Sequence, residues 1–434
     1  MTGNNLIQTG LRIGVRTLIV FAGFCSTVET VRGQEGLRIS TAGDLAAAAQ
    51  RQAENSIGYY NLLWGPVAWR FSSGLGMDYN DNVRLEAQNP EGDLIFRPNV
   101  GAQMHWPVTQ VNDLNLSMSG GYSEYLQHQD LNQLYISPGS GLSFDIYIGD
   151  FAINLHDRIS VTENAYQNQS ASGNTTYASL QNTLGANALW DLNKAVIMLG
   201  YDHGTYQTMN SSQGQPDAAS ENFFLNGGAR IVPEILAGLE TGYGLIHYSR
   251  SGGANSTVTP DATQWNAGVF CTATISDYMD ARLDAGYTVF TPDTTSSTNF
   301  SSAGASGFYL QFLITQRVNR FFTYSLSAGR SMDLQYSGQP YDRYTARWQP
   351  NWSFLRKYTI STPLWWEHAT EVYYQTYSYD QYGAGISIGR QLTQKLSGGI
   401  SYQFVKETSG QRGNNYTGNN YTGKIVSLNF SYQF

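Results

Sequence analysis

Charge is scarce in this chain. Asp, Glu, Lys and Arg make up 13% of its 434 residues, about half the share of an average soluble domain. Mean hydropathy is nevertheless −0.34, so the polarity comes from uncharged Ser, Thr, Asn and Gln. Long apolar runs are missing as well. No stretch reaches the ~18 residues that a membrane-crossing helix needs, which excludes a helical membrane protein. A basic face is absent: the net charge is −8 and the 25 Lys and Arg are scattered, which argues against a nucleic-acid partner. Cysteine is limited to Cys25 and Cys271. No CxxC, HExxH, EF-hand loop or Gly-rich phosphate loop occurs, so no metal and no cofactor is expected. What the chain does have is 41% apolar residues, 30 Tyr and 45 Gly, enough buriable surface to exclude disorder.

The N-terminus reads as an export signal over residues 1–33. Arg12 and Arg16 precede a short apolar core from Leu18 to Phe24, and cleavage is expected after Gly33. Removing that segment removes Cys25, leaving a mature chain that can form no internal disulfide. Residues 34–66 read as a periplasmic segment. Its one helix candidate is Asp44–Glu54, capped by Thr41, and it reads as a linker or as a plug in a barrel mouth.

From residue 67 to 434 apolar and small polar residues alternate with period two. In 279–289, Met279, Ala281, Leu283, Ala285, Tyr287 and Val289 share one strand face, and Asp280, Arg282, Asp284, Gly286 and Thr288 the other. Very short links such as Gly149-Asp150 and Ser276-Asp277 alternate with longer polar ones near 80–92, 163–177, 208–220, 249–262, 291–303 and 407–421. Short turns on one side and long loops on the other are the pattern of an outer-membrane barrel. The fold expected is all-β: a closed antiparallel transmembrane β-barrel of about 18 strands, with 16 possible, short periplasmic turns and longer extracellular loops. Closure is required because an unpaired strand edge in hydrocarbon costs several kcal/mol per polar group. Trp64, Trp69, Trp106, Trp190, Trp348, Trp365 and Trp366 fall near strand ends, as interfacial aromatics do.

The final stretch, with Val426, Leu428, Phe430, Tyr432 and Phe434 alternating, resembles the β-signal of bacterial outer-membrane proteins. That resemblance implies insertion by the barrel-assembly machinery of a Gram-negative outer membrane. The opening strand, Phe71 to Val83, is similar to that of the β-barrel porin 2 family. The likeness implies an association with exopolysaccharide.

With the apolar phase outward, thirteen charges are expected to line a pore: Arg70, Asp78, Arg97, Asp145, Arg158, Asp202, Arg230, Glu240, Asp280, Arg282, Asp284, Arg343 and Arg347. Both signs are present, which predicts modest ion selectivity. His105, His128, His156, His203, His247 and His368 lie on separate segments. Adjacent pairs such as His156-Asp157 and Asp202-His203 face opposite ways on a strand. They read as isolated histidines on a wet surface, and no enzyme activity is expected. The leading function is passive diffusion of small hydrophilic solutes across the outer membrane. Alternatives are an exopolysaccharide export barrel, for which Tyr147, Phe224, Phe270 and Tyr309 are the inward aromatics, or a non-conducting surface barrel. The partners expected are outer-membrane lipids, the assembly machinery, the solutes or polysaccharide, and possible further copies of the chain.

Overall fold

The structure is a computed structural model that describes residues 60–162, 178–209, 217–249, 260–293, 304–334, 340–355, 357–372, 377–411 and 420–434. The expected export signal and the Asp44–Glu54 helix lie outside the described residues.

Eighteen antiparallel strands form a closed ring among the described residues. The first nine are β1 (Val67–Asn80), β2 (Asp93–Pro107), β3 (Asp113–Tyr125), β4 (Gln133–Ile136 and Gly141–Ile148), β5 (Phe151–Thr162), β6 (Ser179–Asp191), β7 (Ala195–Thr208), β8 (Ala218–Val232) and β9 (Ile235–Tyr248). The second nine are β10 (Ala262–Ser276), β11 (Met279–Pro292), β12 (Ala305–Asn319), β13 (Phe322–Leu334), β14 (Pro340–Phe354), β15 (Tyr358–Ser361 and Leu364–Glu371), β16 (Tyr377–Gln391), β17 (Leu396–Gln411) and β18 (Tyr421–Gln433). Each strand pairs with its sequence neighbours, and β18 closes the ring on β1 from Ser72↔Gln433 to Asn80↔Ile425. The unbroken strands run 12 to 16 residues, longer than the roughly 9–11 that a bilayer crossing takes. Closure leaves no free edge inside an apolar layer.

Two strands are interrupted for local reasons. In β4, Ser137-Pro138-Gly139-Ser140 bulges out of the ladder, and the Ser137 N–H still donates to the Ser119 carbonyl at 2.8 Å. In β15, Pro363 has no N–H to give to the ladder, which splits the strand between Ser361 and Leu364. The short turns use ordinary hairpin chemistry: Gly149, between β4 and β5, has φ +60°, the left-handed value that glycine adopts without steric cost.

The closing seam is sealed by residues just ahead of the ring. A short strand, Leu62–Trp64, folds back on Val67–Trp69 along the edge of β1. Asn61 fills the gap between it and the end of β18: its Nδ2 donates to the Phe71 carbonyl at 2.7 Å, and its Oδ1 accepts from the Phe71 N–H at 3.0 Å. The Phe434 N–H reaches the same Phe71 carbonyl. These contacts pair the backbone groups of Phe71 and the Trp69 carbonyl, to which the Asn61 N–H donates at 2.9 Å.

The two faces of the ring have opposite chemistry. Val100 and Leu239 are each 68% exposed on the outside, and Leu142, Leu199, Val269, Leu283, Ile400 and Leu428 continue the band around the wall. A band of that extent needs an apolar surrounding. Inside, the wall alternates Gly, Ser, Asn and charged residues. Trp365 departs from the expected interfacial placement. It faces inward against Gly383, while its neighbour Trp366 faces out.

Candidate channel lumen

All thirteen charges singled out in the sequence share the inward phase of their strands. They are not arranged as continuous rows of one sign. The structure brings most of them together in local groups. Arg97 Nη1 lies 2.9 Å from Asp78 Oδ2. Arg282 holds Asp284 in a forked contact of 2.6 and 3.0 Å, stands 3.8 Å from Glu240 and lies over the Phe270 ring at 5.3 Å. Arg343, 1% exposed, lies between Asp333 at 3.4 Å and Glu367 at 3.5 Å. Toward the short turns, Arg230 grips Asp191 at 2.7 and 2.8 Å. There too, Asp145 accepts from Asn154 at 2.6 Å and Asp280 from Thr274 at 2.9 Å. Arg70, Arg158 and Arg347 lie on the same inner face.

Cross-strand rows explain why so much glycine faces inward. Glu240, Gly268, Gly286 and Tyr309 are consecutive register partners across β9 to β12. The Tyr309 ring lies over both glycines, and its hydroxyl donates to Glu240 Oε1 at 2.6 Å. A Cβ on either glycine would overlap that ring. His156, Gly185 and Asp202 form a second row across β5, β6 and β7, in which His156 Nε2 meets Asp202 Oδ1 at 2.9 Å over the glycine. Phe224 lies on Gly200, Phe270 reaches Gly228, and Trp365 lies on Gly383. Inner glycines are slots that let a large side chain lie flat along the wall.

That geometry corrects two expectations. His156 is 4% exposed and is not an isolated polar residue. Both its ring nitrogens are engaged, Nδ1 by Asn154 at 2.9 Å and Nε2 by Asp202. The other five histidines also lie beside carboxylates: His105 near Asp113, His128 between Glu91 and Asp93, His203 by Glu221, His247 by Asp261 and His368 by Asp380. These partners come from other strands or loops, so adjacency in sequence did not reveal them. Second, Phe224, Phe270 and Tyr309 are pressed into glycine slots rather than projecting as a row of platforms.

Among the inward carboxylates that escaped the sequence reading, Asp333, Glu367, Glu371 and Glu407 are buried on β13, β15 and β17. Glu407 falls in a stretch that reads as loop, yet β17 runs on to Gln411. Glu367 follows the adjacent Trp365 and Trp366, which give no phase. The Tyr379 hydroxyl donates to Glu367 Oε1 at 2.7 Å, and Gln381 Nε2 donates to Glu407 at 3.3 Å and to the Tyr421 hydroxyl at 3.1 Å. From β13 to β17 the inner wall thus sets four carboxylates against Arg343 and Arg347, an acidic sector.

The loop joining β1 to β2 folds inward at the long-loop end. Leu85 is 8% exposed and belongs to one apolar cluster with Met332 and with Tyr421, Val405, Phe290 and Ile246, the last four being inward residues of four strands. Beside it, His128 Nε2 lies 2.8 Å from Glu91 Oε2 and Nδ1 lies 3.0 Å from Asp93 Oδ2. Both partners are acceptors, an arrangement that favours the protonated ring and raises its pKa, chiefly through Glu91. Arg84 reaches Asp130 at 2.7 Å and holds that carboxyl below its usual range.

No family model matches the chain, and no curated protein matches it in sequence. Among solved structures it is similar to Pseudomonas aeruginosa OccK5 (OpdH), with 12% identity, 84% of this chain and 98% of that one covered, and a TM-score of 0.45. It is also similar to Acinetobacter baumannii OccAB3, at 10% identity over 84% and 99% with a TM-score of 0.46. For P. aeruginosa OccK2 (OpdF) the values are 9% identity, 84% and 98%, and 0.47.

Proposed function

We propose that the chain is a bacterial outer-membrane channel for passive diffusion of small hydrophilic solutes, lined by the thirteen charged residues and the four further carboxylates. One observation carries this reading: a closed ring of eighteen strands with an apolar outer band and a polar, charged inner wall. A ring of that strand number is wide enough to hold an aqueous path, and one that turns apolar residues outward belongs in a bilayer. Residues 1–33 act as the export signal, 34–66 as the periplasmic lead-in, and the β18 face of Val426, Leu428, Phe430 and Tyr432, with Phe434, as the mark read by the assembly machinery. The short turns then face the periplasm and the long loops the exterior. The acidic sector from β13 to β17 favours cations over anions. The similarity of the opening strand to the β-barrel porin 2 family fits the same location.

Reconstitution in a planar bilayer tests this. Discrete conductance steps with a cation-shifted reversal potential in a salt gradient are expected. A folded, inserted protein that passes no ions would reject the channel.

A further inference from the structure

We propose that Leu85 is the constriction residue of this channel, an apolar stopper carried by the β1–β2 loop and clamped over the mouth at the long-loop end. The inference rests on the channel reading and assigns the narrow point to one side chain.

The backbone comes first. Leu85 has φ +55°, a left-handed conformation uncommon for any residue but glycine, Asn or Asp. A leucine stays there only where its surroundings hold it, and such strain concentrates at clamps and functional sites. The holding groups are on either side of it. Asn82 is 1% exposed. Its Oδ1 accepts from the Glu86 N–H at 2.8 Å, while its Nδ2 donates to the Glu86 carbonyl at 2.8 Å and to the Thr422 carbonyl of β18 at 3.1 Å. One buried amide thus closes the turn from 82 to 86 and pins it to the ring. The Val83 N–H donates to the Glu91 carbonyl at 2.9 Å, which folds the loop upon itself.

The second anchor joins this loop to the next. Asp93, 1% exposed, accepts from the Gln127 and His128 N–H groups at 3.0 and 2.9 Å, and the His128 ring bridges it to Glu91. Arg84 spans the same gap to Asp130. The charged groups facing one another are therefore Arg84 and Glu91 from the first loop, Asp93 from β2, and His128 and Asp130 from the second loop.

What the clamp presents is the side chain of Leu85, grouped with the inward apolar residues Tyr421, Val405, Phe290 and Ile246. An apolar constriction in a wet pore resists passage by excluding water. Both the strain and the clamp are explained if the loop exists to hold that side chain in the path.

Single-channel recording of wild type and Leu85→Ser tests the stopper. Removing the side chain is expected to raise conductance by about twofold. A Leu85→Cys variant in a Cys271→Ser background guards against a change caused only by misassembly. A charged, water-soluble thiol reagent added on the long-loop side is expected to lower its current stepwise, while Leu75→Cys, outward on β1, is expected not to respond. Conductance unchanged in Leu85→Ser, or a Leu85→Cys current blind to the reagent, overturns the stopper while leaving the channel standing. If neither conducts, the channel reading fails and the stopper with it.

Discussion

On β13 to β18, β1 and β2 the two ends of the inner wall share one alternating pattern and differ in how far their side chains are buried. Toward the short turns the inner wall of β13, β17, β18, β1 and β2 is Ser325, Ser327, Ser397, Ser401, Ser431, Ser72 and Gly101, all partly or fully exposed. Toward the long loops, Arg343, Glu367, Tyr379, Gln381 and Glu407 are at most 1% exposed. On these strands the short-turn end carries small, partly exposed side chains and the long-loop end is filled and hydrogen-bonded. The difference teaches that the ring sets a maximum bore, and that the choice of inward residue sets how much of it stays open.

The largest blow to this contrast is expected from Arg343→Met. Glu367 and Asp333 lose the buried cation between them, a loss of about 3–5 kcal/mol, seen as a lower urea midpoint for the folded barrel. Arg343→Met combined with Glu367→Met is expected to recover part of it. Asp280→Asn, toward the short turns, is expected to leave the midpoint unchanged. An Arg343→Met barrel as stable as wild type would contradict the filled, charge-paired description.

Next in size is Gly383→Val. The new side chain overlaps the Trp365 ring, at a cost of about 1–3 kcal/mol visible as a lower melting temperature on semi-native gels. Gly399→Ala, near the short turns, has 3.4 Å to its nearest neighbour and is expected to be tolerated. Equal behaviour of the two would show that inner glycines are not slots.

A smaller effect separates the two ends electrically. Glu367→Gln with Glu407→Gln is expected to lower the cation-to-anion permeability ratio, measured from reversal potentials in a salt gradient. Asp280→Asn is expected to lower it less, because an exposed carboxylate is screened.

The smallest effect concerns pH. His128 has its pKa raised above 6.5 by Glu91 and Asp93. Its clamp therefore contributes fully below about pH 6.5 and weakens as pH rises through the raised value. Thiol access to Leu85→Cys is expected to increase over that window, and His128→Gln to abolish the dependence. Asp130, held low by Arg84, acts in the opposite direction: its contribution is present at neutral pH and is lost only in acid.

Much of this molecule was legible in its sequence, and the boundary of that legibility is physical. Alternation has a period of two, so a single strand such as 279–289 declares which residues face outward and which face inward. Turn lengths declare which end is which, and the need to close the sheet supplies the barrel. That is why Asp284 and Arg343 could be placed inside from sequence. Partners could not be named, because residues that meet across a ring are related by register rather than by spacing. His156 meets Asp202 only because Gly185 lies between them in one row, and Tyr309 reaches Glu240 only over Gly268 and Gly286. Glu367 was hidden by adjacent tryptophans, and Glu407 by a strand longer than its pattern. Sequence alone determined the closed sheet, its two chemistries and the sign of its faces, since each follows from local alternation and solvation. The tertiary structure alone decided which charges pair, which end of the inner wall is filled, and that Leu85 turns inward, since those depend on side chains from strands distant in sequence competing for one enclosed volume.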